Sequence, residues 1–202
     1  MSPFIKLSRA IDWLNTLIGK YVIWLIFAST VISAVNAIVR KAFSISSNAY
    51  LEVQWYLFAA SFMLAAGYTL LNNEHVRVDV VASRFSRRTQ MIMDAIGFAV
   101  FLIPVCLVLI WFGTPVVVNA IQSGETSGNA GGLIRWPVYL VMPVGFTLLL
   151  LQGISEFIKR IAFLRGLIDD PTAKKDEKTA EEELAESIRR LAESKGVAPA
   201  TK

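Results

Sequence analysis

Residues 21–39, YVIWLIFASTVISAVNAIV, contain no charged side chain, although Lys20 precedes them and Arg40 follows them. A transmembrane helix needs about 20 apolar residues to cross roughly 30 Å of hydrocarbon. Three further uncharged stretches of comparable or greater length follow along the chain, at 53–73, 95–124 and 136–155. The sequence therefore predicts an all-α membrane protein with four transmembrane helices, at about 21–39, 53–72, 95–118 and 137–156.

The third uncharged stretch is longer than a single crossing requires, and it contains Pro104 and Pro115. Proline removes a backbone donor and disturbs the preceding turn of a helix. Polar Asn119 and Gln122 stand near the end of the stretch. We therefore expect a kinked helix over 95–118, followed by a polar exit.

The composition supports a membrane protein and excludes several classes of active site. Hydrophobic residues make up 54% of the 202 residues, charged residues 18%, and the mean hydropathy is +0.52, whereas soluble domains carry about 25% charge. One Cys and one His leave no material for a disulfide framework, a thiolate metal site or a bis-His haem. We expect no enzyme, no catalytic residue, no metal and no cofactor.

Lys and Arg are concentrated on one side of the predicted helices. With four spans, the termini and the connection between helices two and three share a side, and its basic residues are Lys6, Arg9, Lys20, Arg77, Arg84, Arg87, Arg88, Lys159, Arg160 and Arg165. The basic residues of the opposite side are Arg40, Lys41 and Arg135. The positive-inside rule therefore predicts that both termini are cytoplasmic. Because the basic charge is a topology signal, no nucleic-acid partner is expected.

A charged tail follows the membrane domain, which we place at 1–168. Residues 169–202 hold many Lys, Arg, Asp and Glu side chains, and Thr179 with Glu182 is typical of a capping box. Leu184, Ile188 and Leu191 fall on one face of the helix that would follow. The sequence predicts a short amphipathic cytoplasmic helix at about 180–195. A partly disordered tail and a partner-binding helix are both open, since short helices are marginal alone.

The predicted spans lack the ionisable groups that a transporting element places at mid-depth. Every acid and base lies at or beyond the end of a span. Small residues recur at helical spacing in the first span, at Ser29, Ser33 and Ala37, and they allow close approach of another helix. That helix belongs either to the same bundle or to a separate membrane protein.

Three charged or titratable positions flank the second span. Glu52 opens that helix, where the helix dipole favours an acid, and it is also placed to pair with Arg40 across the connection. His75 follows the helix, and a lone histidine there is more often a structural residue than a ligand.

Two groups of residues resemble a known family. The first surrounds the second helix and comprises Asn36, Arg40, Glu52, Gly67, His75, Arg77 and Asp79. The second begins the fourth helix and comprises Arg135, Trp136, Pro137, Pro143 and Gly145. Together, over about residues 13–165, they resemble the small membrane subunit, the DctQ type, of the tripartite ATP-independent periplasmic (TRAP) transporters.

The resemblance implies a multi-pass protein of the bacterial inner membrane that works with partners. In this family a periplasmic substrate-binding protein captures an organic acid, and a large multi-span membrane subunit moves it with a sodium gradient. The small subunit braces the large one within the lipid bilayer. The resemblance makes the two groups of residues candidates for subunit interfaces. Arg40 and Glu52 are expected near the docked binding protein, and His75, Arg77 and Asp79 are expected to shape the connection after the second helix.

Two other functions compete with this interpretation. In the first, several copies of the chain assemble into a small transporter or channel whose pore is lined by polar helix stripes. The absence of an intramembrane carboxylate or arginine counts against it. In the second, the chain is a membrane enzyme or a haem subunit, which the single His and single Cys make remote.

Overall fold

The computed structural model describes residues 3–44, 47–73 and 85–171. Within these ranges the chain forms helices and no strand, apart from one isolated antiparallel bridge between Thr126 and Ile134. The all-α class is thus confirmed. The helices are α1 (Pro3–Phe43), α2 (Asn48–Leu71), α3 (Arg87–Ser123) and α4 (Trp136–Leu164).

Each helix covers all or nearly all of one uncharged stretch and extends beyond it at one end or both. The largest extension is in α1, which begins at Pro3 rather than near residue 21 and has 41 residues. At 1.5 Å per residue it is about 61 Å long, roughly twice the hydrocarbon thickness of a bilayer. Its added turns are stabilised by packing, because Ser8, Ile11 and Asn15 are buried.

Three of these helices, α1, α3 and α4, are long and apolar enough to cross a membrane by length and composition. The 24-residue α2 is not among them; Gln54, Tyr56 and Tyr68 lie within it. The predicted count of four spans and the cytoplasmic placement of both termini therefore stay predictions. The predicted tail helix at 180–195 lies outside the described residues, as do His75, Arg77 and Asp79.

Helix α4 is the centre of the bundle, because it packs against each of the other three. It runs antiparallel to α1 and α3 and parallel to α2, which itself packs antiparallel to α1. For α1 and α4 the neighbouring pairs are Ser8 with Ser155 and Asn15 with Gln152. For α2 and α4 they are Met63 with Gly145 and Gly67 with Leu148. For α3 and α4 they are Leu102 with Gly153 and Gly113 with Pro143.

Helix α3 is longer at both ends than the helix predicted over 95–118. It is continuous from Arg87 to Ser123, and the segment Phe98–Leu102 is π-helical. Pro104 stands two residues after this segment, and a π turn accommodates the missing backbone donor without ending the helix. The helix ends at Gly124, whose φ of 63° is left-handed and typical of a helix C-terminus.

Candidate functional site

Polar side chains collect at the two ends of the bundle. We name these groups the Glu52 cluster, which lies where α2 and α4 begin, and the Arg160 cluster, which lies where α1 begins and α4 ends. The sequence singled out Glu52 and Arg135 of the first cluster. In the Arg160 cluster, the only residues considered from the sequence were the basic side chains that predicted the topology.

In the Glu52 cluster, a carboxylate from α2 holds the loop between α3 and α4. Glu52 is 4% exposed. Its Oε2 accepts a hydrogen bond from the backbone N–H of Leu133 at 2.7 Å, and its Oε1 accepts from Asn129 Nδ2 at 2.9 Å and from the hydroxyl of Ser127. Three donors from one loop thus converge on one carboxylate, which charge makes a strong acceptor.

These donors also determine the protonation state of the carboxylate. The backbone N–H of Leu133, followed by the side chains of Ser127 and Asn129, lowers the pKa of Glu52 below its ordinary value of 4.5. Hydrogen bonds to the charged form of an acid stabilise that form. Glu52 is therefore ionised at neutral pH.

The loop over Glu52 is also tied to α2 at two further points. Asn48 Nδ2 donates to the carbonyl of Ala130 at 3.2 Å, and the hydroxyl of Tyr56 donates to the carbonyl of Ile134 at 3.2 Å. Within the loop, the backbone N–H of Ser127 donates to Leu133 O at 2.8 Å. No local sequence pattern predicts this hairpin-like loop, because the loop and its partners on α2 lie about 80 residues apart in the chain.

Arg135 forms a separate group with Tyr139 and Glu125 at the same end of the bundle. Its Nη1 donates to the hydroxyl of Tyr139 at 3.2 Å and lies 3.5 Å from Glu125 Oε1. The Tyr139 hydroxyl donates to Glu125 Oε1 at 3.1 Å. Trp136 begins α4 and Pro137 occupies its first turn, a position that suits proline because no helical partner is lost there.

The suggested pair between Arg40 and Glu52 is wrong, and the register of the helices explains why. Ser29 Oγ donates to the carbonyl of Gln54 at 3.2 Å, so in the antiparallel α1/α2 pair Glu52 lies opposite about residue 31. Arg40 is about nine residues, or roughly 13 Å, further along α1. Arg40 is exposed in the last turn of α1, and Asn36, about one turn earlier, is half-buried.

The Arg160 cluster is a buried network of charged side chains on α4. Arg160 is 1% exposed and Glu156 is 2% exposed, and these two side chains form an ion pair one helical turn apart. Arg160 also lies 3.8 Å from Asp94 of α3 through Nε, and its guanidinium stacks 5.0 Å from the ring centroid of Phe98. Its Nη2 donates to Asn73 Oδ1 after α2, at 3.4 Å.

The same network reaches α1 through Asp12. Lys159 Nζ lies 2.7 Å from Asp12 Oδ2 and 2.7 Å from Glu156 Oε1. Asp12 Oδ1 accepts from Ser155 Oγ at 2.8 Å and from Gln152 Nε2 at 3.0 Å. The charged residues of α4 thus bind α1 and α3 and reach the end of α2.

The acids and bases of this cluster stand at or beyond the ends of the predicted spans, but the helices extend past those spans. Asp12, Asp94, Glu156, Lys159 and Arg160 all lie inside helices. Burial of such groups is tolerated because each charge has an opposite charge nearby. A sequence signal was present: Gln152, Glu156 and Arg160 recur every fourth residue, which places them on one face of α4.

Two predicted glycines face the interior of the bundle and permit close helix packing. A Cβ on Gly67 would lie 2.2 Å from Asn15 Oδ1, and a Cβ on Gly145 would lie 2.8 Å from the carbonyl oxygen of Met63. Pro143, in α4, is buried beside Gly113 of α3. Both glycines are therefore used in contacts within this chain.

The two clusters are suited to holding helices together. In residues 3–44, 47–73 and 85–171, no group of three or more His, Cys, Asp or Glu side chains is arranged to hold a metal ion. The charged groups of the Arg160 cluster are engaged with each other, and the Glu52 carboxylate is engaged with the loop. Such an arrangement fixes the relative positions of α1, α2, α3 and α4.

Comparison with known proteins identifies the family. No curated protein and no solved structure matches the chain. The family described as tripartite ATP-independent periplasmic transporters, DctQ component, matches residues 29–163. This match spans α2, α3, the C-terminal third of α1 and nearly all of α4, and it includes Glu52, Gly67 and Gly145. The chain belongs to the DctQ family, the small membrane component of TRAP transporters.

Proposed function

We propose that the chain is the small permease subunit that braces the large membrane subunit during sodium-gradient-driven uptake of organic acids. In this proposal a periplasmic binding protein delivers the substrate. The chain spans the inner membrane four times with both termini in the cytoplasm. Membership of the DctQ family supports the general role.

The observation that carries the bracing role is the distribution of buried charge. Polar networks tie the helices together at both ends of the bundle, through Glu52 at one end and Glu156 with Arg160 at the other. Between them, residues 136–155 of α4 carry no charge. A subunit built in this way holds its helices in fixed positions and offers no mid-depth ionisable group on α4 for an ion or an organic acid.

The outer faces of the helices suit a protein surrounded by lipid and by another membrane subunit. Large apolar side chains are exposed on α1 and α3, among them Trp24, Phe27, Trp111 and Phe112. Exposed apolar area of this extent marks a membrane or protein interface. Arg40, exposed at the end of α1, is proposed to lie near the docked binding protein.

Deletion of this chain from its natural host tests the proposal. Uptake of the organic acid is expected to be abolished and to return when the chain is supplied from a plasmid. In mild detergent the tagged chain is expected to copurify with a much larger multi-span protein. Uptake that survives the deletion unchanged would contradict the proposal. Homo-oligomers that alone reconstitute transport in liposomes would favour the self-assembling channel instead.

A further inference from the structure

Lys20 is exposed on the outer face of α1. Within residues 3–44, 47–73 and 85–171 its ammonium has no hydrogen bond and no ion pair. In the sequence it stands just before an uncharged stretch, which predicts a place at the edge of the membrane. The packing of α1 gives it a different depth.

The register of α1 against two neighbouring helices determines the level of Lys20. Asn15 lies beside Gly67 of α2 and donates to Gln152 of α4. Both helix pairs are antiparallel, so Lys20 lies opposite about residue 62 of α2 and about residue 147 of α4. The middle of each uncharged stretch is within two residues of these positions. Lys20 is therefore level with the middle of both stretches, about 15 Å from either edge of the hydrocarbon that they would cross.

An ammonium at this depth needs an opposite charge. Ionisable groups inside a membrane are costly among acyl chains, and they pair with one another or face a water-filled cavity. Lysines near the ends of a helix extend to the interface instead, but the level of Lys20 is far from both edges. The uncharged stretches of α2, α3 and α4 supply no carboxylate at this depth. A second copy of the chain therefore lacks the required charge as well, and another protein has to provide it.

The side chains around Lys20 suit a contact with protein better than a contact with lipid. The outward face that Lys20 occupies has large apolar residues at intervals of three or four, namely Trp13, Leu17, Trp24 and Phe27. Trp24 is 63% exposed, and its ring packs edge to face on Phe27 with 5.9 Å between centroids. Tryptophan that faces lipid is enriched at the two membrane interfaces, whereas Trp24 lies one turn from Lys20. Tryptophan is also enriched at the centres of protein–protein interfaces.

We propose that Lys20 forms an ion pair, inside the membrane, with a carboxylate on a helix of the large membrane subunit. This inference rests on the proposed function, which supplies the large subunit as the partner. Trp24 and Phe27 pack beside the pair and keep lipid away from it. A carboxylate at that depth of the large subunit gains its opposite charge only when this chain is bound, so the pair favours the assembled complex.

Binding of the purified large subunit to variants of Lys20 tests the pair. Energy transfer between dyes on the two subunits measures Kd in mild detergent. Lys20→Met places an unbranched apolar side chain on an exposed apolar face, so the fold is retained, and Kd is expected to rise about thirtyfold or more. Lys20→Arg keeps the charge and should keep most of the binding. Lys6→Met is the matched control, because Lys6 is an exposed lysine near the start of the same helix, and Kd should not change.

Equal Kd values for wild type, Lys20→Met and Lys6→Met would overturn the ion pair and leave the proposed function standing. A wild-type chain that binds no large subunit would instead contradict the proposed function. An unchanged Kd with a raised KM for uptake in Lys20→Met would also overturn the pair, because it would assign Lys20 to the substrate. A photo-crosslinking amino acid at position 20 is expected to react with a helix of the large subunit that carries Asp or Glu. Cross-links to lipid alone would count against the proposal.

Discussion

Glu52 Oε2 accepts a 2.7 Å hydrogen bond from the backbone N–H of Leu133, 81 residues further along the chain. Through this bond the N-terminal part of α2 holds the loop that leads into α4. The carboxylate takes two more donors from the same loop, from Ser127 and Asn129. One carboxylate therefore accepts three of the hydrogen bonds that hold this loop, and the behaviour of the loop is expected to depend on the charge of that carboxylate.

Glu52→Gln is expected to release the loop. One carboxylate oxygen becomes an NH₂ group, which opposes the donors that converge on it. Loss of one hydrogen bond to a charged group raises the equilibrium constant for local opening of the loop about tenfold or more. Hydrogen exchange at residues 125–135 measures this opening. Glu125→Gln is the control, because the Glu125 side chain is 41% exposed and pairs with Arg135. Equal exchange in the Glu52 variant and wild type would refute the prediction.

The same loop is expected to loosen at acid pH. The pKa of Glu52 is lowered first by the Leu133 N–H, so the folded state holds its proton less tightly than the unfolded state. Stability from this group is present above the unfolded-state value of about 4.5 and is lost as the pH falls through the lower folded-state pKa. Exchange protection of the Leu133 amide, corrected for intrinsic rates, is expected to hold from pH 7 to about 4.5 and then to fall. Glu52→Gln should lack this step; the same step in the variant would assign it to another group.

Gly67→Ala is expected to destabilise the bundle by about 1–3 kcal/mol, as overpacking does. The added Cβ would lie 2.2 Å from Asn15 Oδ1, which is itself fully buried. Gly97→Ala is the matched control, since its Cβ meets nothing within 4 Å, and it should stabilise α3 by about 0.5–1 kcal/mol. Thermal unfolding in detergent compares the two. Similar unfolding temperatures for both variants would show that the α1/α2 contact is not tightly packed.

Arg160→Met is expected to lower the free energy of unfolding by about 3–5 kcal/mol, because it leaves Glu156 buried without the opposite charge of Arg160. The double variant Arg160→Met with Glu156→Met removes both charges and should recover much of the loss. Arg87→Met is the control: the ion pair of Arg87 with Asp170 has side chains 48% and 23% exposed, and such surface pairs contribute about 1 kcal/mol or less. The free energy of unfolding of the two single variants and the double variant is measured by denaturation in graded detergent mixtures. A double variant as unstable as Arg160→Met would show that the pair does not act as a unit.

The outcome for individual residues shows how far sequence reasoning extends. The uncharged stretches located the four helices of the described residues, since helix formation by apolar residues is a local property. Gly67 and Gly145 were identified as members of the family motif, and the structure supplies their physical role in close packing. Asp12 and Lys159 were not expected to pair, because nothing in either segment indicates which face of α1 lies against α4.

The sequence by itself determined an all-α membrane protein whose charges avoid the middle of its predicted spans, because helix length and the cost of a charge in hydrocarbon depend on local composition. Only the tertiary structure decided the partners of those charges. The register of α1 against α2 separates Arg40 from Glu52, and the packing around α4 buries Glu156 and Arg160. Such pairings depend on how helices distant in the chain come together, and no local pattern specifies that arrangement.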